Sequence, residues 1–151
     1  MPRITRDAEV SWEGSSAKGR GALTAASSGA FAGLPYSEPA RIAASGAEET
    51  SPEELVAAAH AACYAMSLAA ELTRDRTPPE RLDVRATVVM DEVEGGGHRI
   101  VASELRVKGR VRGSDGGAFA AAVARADEGC PISALIRGTA TVTVDASLEV
   151  T

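Results

Sequence analysis

Apolar and polar positions along the chain alternate in blocks of two different periods, and the longest block lies near the middle. In TSPEELVAAAHAACYAMSLAAELTR, residues 50–74, no position from Leu55 to Ala70 is charged unless His60 is protonated. A helix that is apolar all round predicts a central core helix, buried on most of its sides. Its start is marked at several positions. Ser51 suits the N-cap, Pro52 the first helical position, and Glu54 completes a Ser-x-x-Glu capping box. Glu53 and Glu54 put negative charge where the helix dipole favours it. The apolar run is too short and too closely flanked by charge to make a convincing membrane span.

The flanking blocks have period two. Ala8–Trp12 alternates, Glu13–Gly21 is a Gly/Ser-rich connection, and Gly21–Ala25 returns, which predicts a hairpin. Gly29, Gly33, Pro35 and Pro39 make Ser27–Ala40 a loop. Arg41–Ala44 reads as a short strand, and Ser45–Thr50 leads into the central helix. Pro78 and Pro79 close the helical region. Beyond them Leu82, Val84, Ala86, Val88 and Met90 share one strand face, Gly95–Gly97 turns, and Ile100–Val111 pairs back with Val101, Leu105, Val107 and Val111 in one register. Ser114 or Asp115 caps a second helix, Phe119–Glu128, which stops at Gly129; Cys130-Pro131 opens a short one ending at Gly138; Thr139–Val150 is a last strand. The order ββ-α-ββ-αα-β predicts one α+β domain over residues 1–151 with antiparallel sheet.

Composition narrows the partners. A net charge of −5 and a pI near 5.1 argue against nucleic acid or an anionic membrane. Aromatic residues make up only 3%, so small side chains must build the core by close backbone approach. No charged start followed by an apolar run and a small-residue cleavage site marks export. Two cysteines in an acidic, unexported chain point to a cytoplasmic thiol pair rather than a disulfide framework.

The cysteines belong to no C-x-x-C, and His60 and His98 are the only imidazoles, so a zinc site is poorly supported. Cys63 lies mid-helix among apolar residues, where burial raises a thiol pKa; from the residues alone it reads as a small buried hydrophobe. Cys130 sits at the N-terminus of a helix, where the dipole lowers a thiol pKa. His60 reads as a core histidine satisfied by a carbonyl. The Gly-rich segments lack a phosphate-binding pattern.

Two long motifs change this reading. TSPEELVAAAHAACYAMSLA closely resembles the signature of the OsmC/Ohr family, the osmotically inducible and organic hydroperoxide resistance proteins. Gly129-Cys130-Pro131-Ile132-Ser133 resembles its second hallmark, and Trp12-Glu13-Gly14, Pro35-Tyr36 and Arg41 look OsmC-like as well. The resemblance covers nearly the whole chain and sits closer to the OsmC branch. It implies an OsmC-like fold of sheets packed around a buried central helix, in an intertwined homodimer. It implies a peroxidatic Cys63, a resolving Cys130, an Arg41 that stabilises the thiolate, and a Glu53 that holds Arg41. Ohr-type proteins carry their arginine roughly where Arg20 falls, so Arg20 is the rival.

The implied reaction reduces organic hydroperoxides through a Cys63 sulfenic acid and a Cys63–Cys130 disulfide. No cofactor is bound, and a dithiol, with lipoyl groups as the implied source, is the reductant. Tyr64 and Met66, with Phe31, Leu34 and Tyr36, could wall an apolar substrate pocket. Ten residues separate Glu53 from Cys63, roughly 15 Å along a straight helix. Either that helix bends sharply or the glutamate comes from a second chain, which makes the active sites shared across the dimer. The rival reading is a small-molecule or lipid-binding protein that keeps the fold without peroxidase turnover.

Overall fold

The computed structural model describes residues 1–44 and 46–150, so Ser45, at the start of the expected lead-in to the helix, and Thr151 lie outside it. The chain divides into two compact units, Met1–Leu55 and Val56–Thr151.

The first unit is built on a three-stranded antiparallel sheet of β1 (Glu9–Glu13), β2 (Arg20–Thr24) and β3 (Leu34–Tyr36), in that order. Trp12, Gly21 and Tyr36 stand side by side across it. A Cβ at Gly21 would come within 2.1 Å of the Tyr36 ring. Only glycine leaves room there, and the Trp12 and Tyr36 rings meet at 5.5 Å in a tilted pair. The expected strand at Arg41–Ala44 does not form. Arg41 and Ile42 instead end a short helix, α1 (Glu38–Ile42). Ser37 caps it, its hydroxyl accepting the Ala40 N–H at 3.2 Å, and Pro39 pre-sets the first turn. Local capping chemistry thus overrides a three-residue apolar signal. The expected loop also yields β3, with Pro35 tolerated on an edge strand.

The central helix, α2 (Pro52–Arg74), is a single unbroken element. Ser51 accepts the Glu54 N–H at 3.2 Å, while the Glu54 carboxylate takes the Thr50 hydroxyl at 3.0 Å. Its burial differs from the expectation. One stripe at four-residue spacing, His60, Tyr64, Leu68 and Leu72, is buried, whereas Ala58, Ala59, Ala62, Met66 and Ala70 are exposed in the single chain. By length and a mean hydropathy of 1.4 this helix could cross a membrane. Its stripe instead belongs to the core of the second unit.

There, β4 (Arg81–Glu92) and β5 (His98–Arg110) form an antiparallel hairpin through Gly95–Gly97, all three at positive φ. The last strand, β6 (Thr141–Leu148), joins β5 in parallel, which corrects the expectation of purely antiparallel sheet. The cause is the intervening α3 (Gly116–Gly129) and α4 (Pro131–Arg137), a helical crossover long enough to return the chain to the starting end of β5. Asp115 rather than Ser114 caps α3, accepting the Ala118 N–H at 2.8 Å. Tyr64, Leu68 and Leu72 pack with Leu105, Val107 and Val111 and with Phe119, Ala122 and Ala126. Gly109 lets the Phe119 ring approach β5, since a Cβ would lie 2.8 Å from it.

Candidate active site

Periodicity places Cys63 one residue from the buried stripe of α2, so its side chain is half-buried, and the Gly129–Cys130 break places Cys130 as the N-cap of α4 with no exposed surface. The two thiols are neighbours close enough for each to shift the other's ionisation. The first turn of α4 supplies them with backbone donors that the helix itself cannot use. The Ser133 N–H donates to Cys130 Sγ at 3.5 Å, and the Ile132 N–H lies close enough to favour the thiolate of either cysteine. Both cysteines are free thiols.

Their electrostatics diverge. Burial pushes the Cys63 thiol above its ordinary value, and the neighbouring Cys130 adds to the rise, against the Ile132 N–H. Burial also opposes ionisation of Cys130. There the hydroxyl and N–H of Ser133, the Cys63 thiol and the Ile132 N–H together hold the pKa below the ordinary value. Within the second unit, Cys130 is therefore the thiol better prepared to carry a negative charge.

His60 is fully buried, but no carbonyl satisfies it. Nδ1 lies 2.7 Å from Ser103 Oγ and Nε2 lies 2.8 Å from Ser133 Oγ. Burial pushes its pKa down; Asp127 opposes this and Arg137 reinforces it. The pattern gives neither serine a role, although Ser133 stands in the Cys130–Pro131 motif. Ser103 carried a signal nonetheless, as the polar residue in the inward register that holds Leu105 and Val107. Tyr64 is core rather than pocket wall, its hydroxyl donating to the Val123 carbonyl at 3.0 Å.

In the first unit, Arg41 and Glu53 meet. Nε of Arg41 donates to Glu53 Oε1 at 2.9 Å and Nη2 donates to the same oxygen. Burial would raise the Glu53 carboxyl, but hydrogen bonds from Arg41, its own backbone and Ser51 hold it below the ordinary value. Arg41 is raised in turn by that bond. Arg20 has a carboxylate of its own, Glu49 at 2.8 Å, which also accepts the Ser37 hydroxyl at 2.6 Å. A groove of about 420 Å³ runs past Trp12, Tyr36, Arg41 and Pro52. Among the described residues, no group of three His, Cys, Asp or Glu is arranged to hold a metal ion.

The family model for OsmC, described as OsmC-like protein, matches residues 45–145. The peroxiredoxin OsmC of Escherichia coli strain K12 is 33% identical over 146 residues, 97% of this chain and 98% of that protein. An organic hydroperoxide resistance protein of Xanthomonas axonopodis pv. citri is 31% identical over 109 residues, 72% of this chain and 74% of that one. The crystal structure of the organic hydroperoxide resistance protein OhrB of Bacillus subtilis superposes with a TM-score of 0.69 at 25% identity, covering 93% of this chain and 98% of that one. Motifs, fold and relatives agree, and the chain belongs to the OsmC-like protein family, on its OsmC side.

Proposed function

We propose that this chain is a thiol peroxidase that reduces organic hydroperoxides to alcohols. The observation that carries the reading is the pair of neighbouring free thiols at the first turn of α4, where the Ser133 N–H donates to Cys130. The names of the relatives, a peroxiredoxin and an organic hydroperoxide resistance protein, support it. The Cys63 thiolate attacks the terminal oxygen of ROOH and the O–O bond breaks. ROH leaves after taking a proton, and Cys63 becomes a sulfenic acid. Cys130 then attacks that sulfur, the S–O bond breaks, and water and a Cys63–Cys130 disulfide result. An external dithiol, with lipoyl groups the reductant the family resemblance implies, takes the disulfide back to two thiols and is itself oxidised. Such a cycle suits a reducing compartment, the cytoplasm.

Cys63 needs a cation, because burial alone disfavours its thiolate. We assign this to Arg41, oriented by Glu53 and delivered by a second copy of the chain. The sequence spacing supports that assignment, since ten residues separate Glu53 from Cys63, roughly 15 Å along a straight helix. The exposed, uncharged face at Ala58, Ala62, Met66 and Ala70 supports a homodimer in which this face is covered. The organic part of the substrate would lie in the groove beside Trp12 and Tyr36.

One equivalent of cumene hydroperoxide added to the reduced protein should yield the Cys63–Cys130 disulfide by mass spectrometry. Cys130→Ser should stop at a dimedone-reactive Cys63, and Cys63→Ser should leave Cys130 reduced. Equal oxidation of Cys63→Ser would remove the assignment.

A further inference from the structure

The peroxidase cycle uses two sulfurs, an arginine and a glutamate, and leaves unexplained a buried histidine with a serine on each ring nitrogen. Ser103, His60 and Ser133 form one continuous chain of hydrogen bonds that ends beside Cys130. Ser103 Oγ lies 2.7 Å from His60 Nδ1, and His60 Nε2 lies 2.8 Å from Ser133 Oγ. The N–H of Ser133 in turn donates to Cys130 Sγ at 3.5 Å, and its hydroxyl is close enough to favour the Cys130 thiolate. All four side chains are fully buried. We propose that Ser103, His60 and Ser133 act as a relay that holds Cys130 as a thiolate, and so govern the disulfide-forming half of the cycle. This rests on the peroxidase reading above, in which Cys130 attacks the Cys63 sulfenic acid.

The donor count supports the relay. When Cys130 is ionised, the Ser133 hydroxyl donates to sulfur, and its oxygen accepts from Nε2–H of His60. Nδ1 is then bare and accepts the Ser103 hydroxyl. When Cys130 is protonated, S–H donates to Ser133, Ser133 to Nε2, and Nδ1–H to Ser103. One tautomer shift of a neutral imidazole switches the whole chain between the two states. Burial keeps the imidazole neutral in both.

His60 therefore differs from the imidazolium of a thiolate–imidazolium pair, because it steers hydrogen-bond donors without carrying charge. The groups facing this chain are Cys63 and Tyr64 on α2, with Asp127 and Arg137, which face His60. Tyr64 stays protonated, its pKa raised by burial, by Asp127 and by Cys130. In the step itself the Cys130–Cys63 S–S bond forms and the Cys63 S–OH bond breaks. The departing hydroxide and the proton that Cys130 gave up make one water. Ser133 and His60 are positioning residues, acting through Cys130.

The test compares Ser133→Ala and Ser133→Thr with the parent protein in two measurements. Ultraviolet thiolate absorbance in a Cys63→Ser background reports Cys130 ionisation without any peroxide. Stopped-flow mixing with cumene hydroperoxide, using dimedone trapping, separates sulfenic acid formation from disulfide formation. Ser133→Ala should raise the Cys130 midpoint by about one pH unit. It should slow the disulfide phase about tenfold at neutral pH relative to the sulfenic phase, with Ser133→Thr restoring both. Ser103→Ala, which acts only through His60, should move the midpoint in the same direction by less, and keeps the test available where Ser133→Ala does not fold. An unchanged midpoint in Ser133→Ala or Ser103→Ala overturns the relay. A parent protein in which peroxide leaves Cys63 untouched overturns the peroxidase reading, whatever the titration shows.

Discussion

Arg41 holds one oxygen of Glu53 with two nitrogens of its guanidinium, Nε at 2.9 Å and Nη2 beside it. A side-on grip of this kind fixes the plane of the guanidinium as well as its position, which a single ammonium cannot do. Two helix ends present the pair. α1 ends at Ile42, presenting Arg41 in its last turn, and α2 begins at Pro52, presenting Glu53 in its first.

Arg41→Lys should therefore not behave as a conservative change. We expect kcat/KM for cumene hydroperoxide to fall on the order of 10²-fold, as when one oxyanion-stabilising donor is lost. Glu53→Gln should lower it in the same direction with little change in thermal stability. The check is steady-state kinetics with a dithiol reductant, alongside a melting curve of each variant.

The acid limb of stability should be shaped by His60. Burial lowers its folded-state pKa below the ordinary value of 6.5. The unfolded chain thus binds a proton at higher pH than the folded one. The stability this contributes is fully present above about 6.5 and is lost as pH falls through the lower folded value. Denaturant titrations of the parent between neutral pH and pH 5 should show stability falling. His60→Gln should flatten that slope while lowering stability at every pH. A parallel slope in both proteins would contradict the buried neutral imidazole.

The approach of Tyr36 to Gly21 and of Phe119 to Gly109 makes both glycines sensitive to one added methyl group. Gly21→Ala and Gly109→Ala should each cost roughly 1–3 kcal/mol by overpacking. The first should also disturb the Trp12–Tyr36 ring pair, and Trp12 is the only tryptophan. Its fluorescence should shift in Gly21→Ala and stay unchanged in Gly109→Ala.

Met66 is 74% exposed in the single chain, on a helix face with no charge from Leu55 to Ala70. If a second copy covers that face, Met66→Glu buries a charge without a partner and should shift the protein toward monomer. Analytical ultracentrifugation reads this directly. On the proposed shared site the monomer should lose peroxidase turnover, because Arg41 of one copy would no longer reach Cys63 of the other.

Much of this molecule was legible in the sequence, where local chemistry and period agree. The β4–β5 hairpin follows from alternation closed by Gly95–Gly97, and Ser51-Pro52 set the start of α2. Arg41–Ala44 reads as a strand but does not form one, because four residues carry too little period to outweigh the Ser37 cap and Pro39 upstream. The direction of β6 was hidden for a different reason. Alternation at Val142, Val144 and Leu148 says strand and inward face, while parallel pairing is decided by the path of α3 and α4. At the site, the cysteines stood out through their motifs. The partners of His60 could not be read, because Ser103 and Ser133 are brought to it from distant parts of the chain by packing alone.

The central claim is that the neighbouring thiols perform peroxide chemistry assisted by Arg41. It is tested most directly by stopped-flow oxidation of the reduced protein with cumene hydroperoxide and with hydrogen peroxide, counting thiols before and after. The account predicts rapid loss of both thiols, faster with the organic peroxide, abolished in Cys63→Ser and strongly slowed in Arg41→Lys. Slow loss with both oxidants, unchanged by replacement of Arg41, would contradict it.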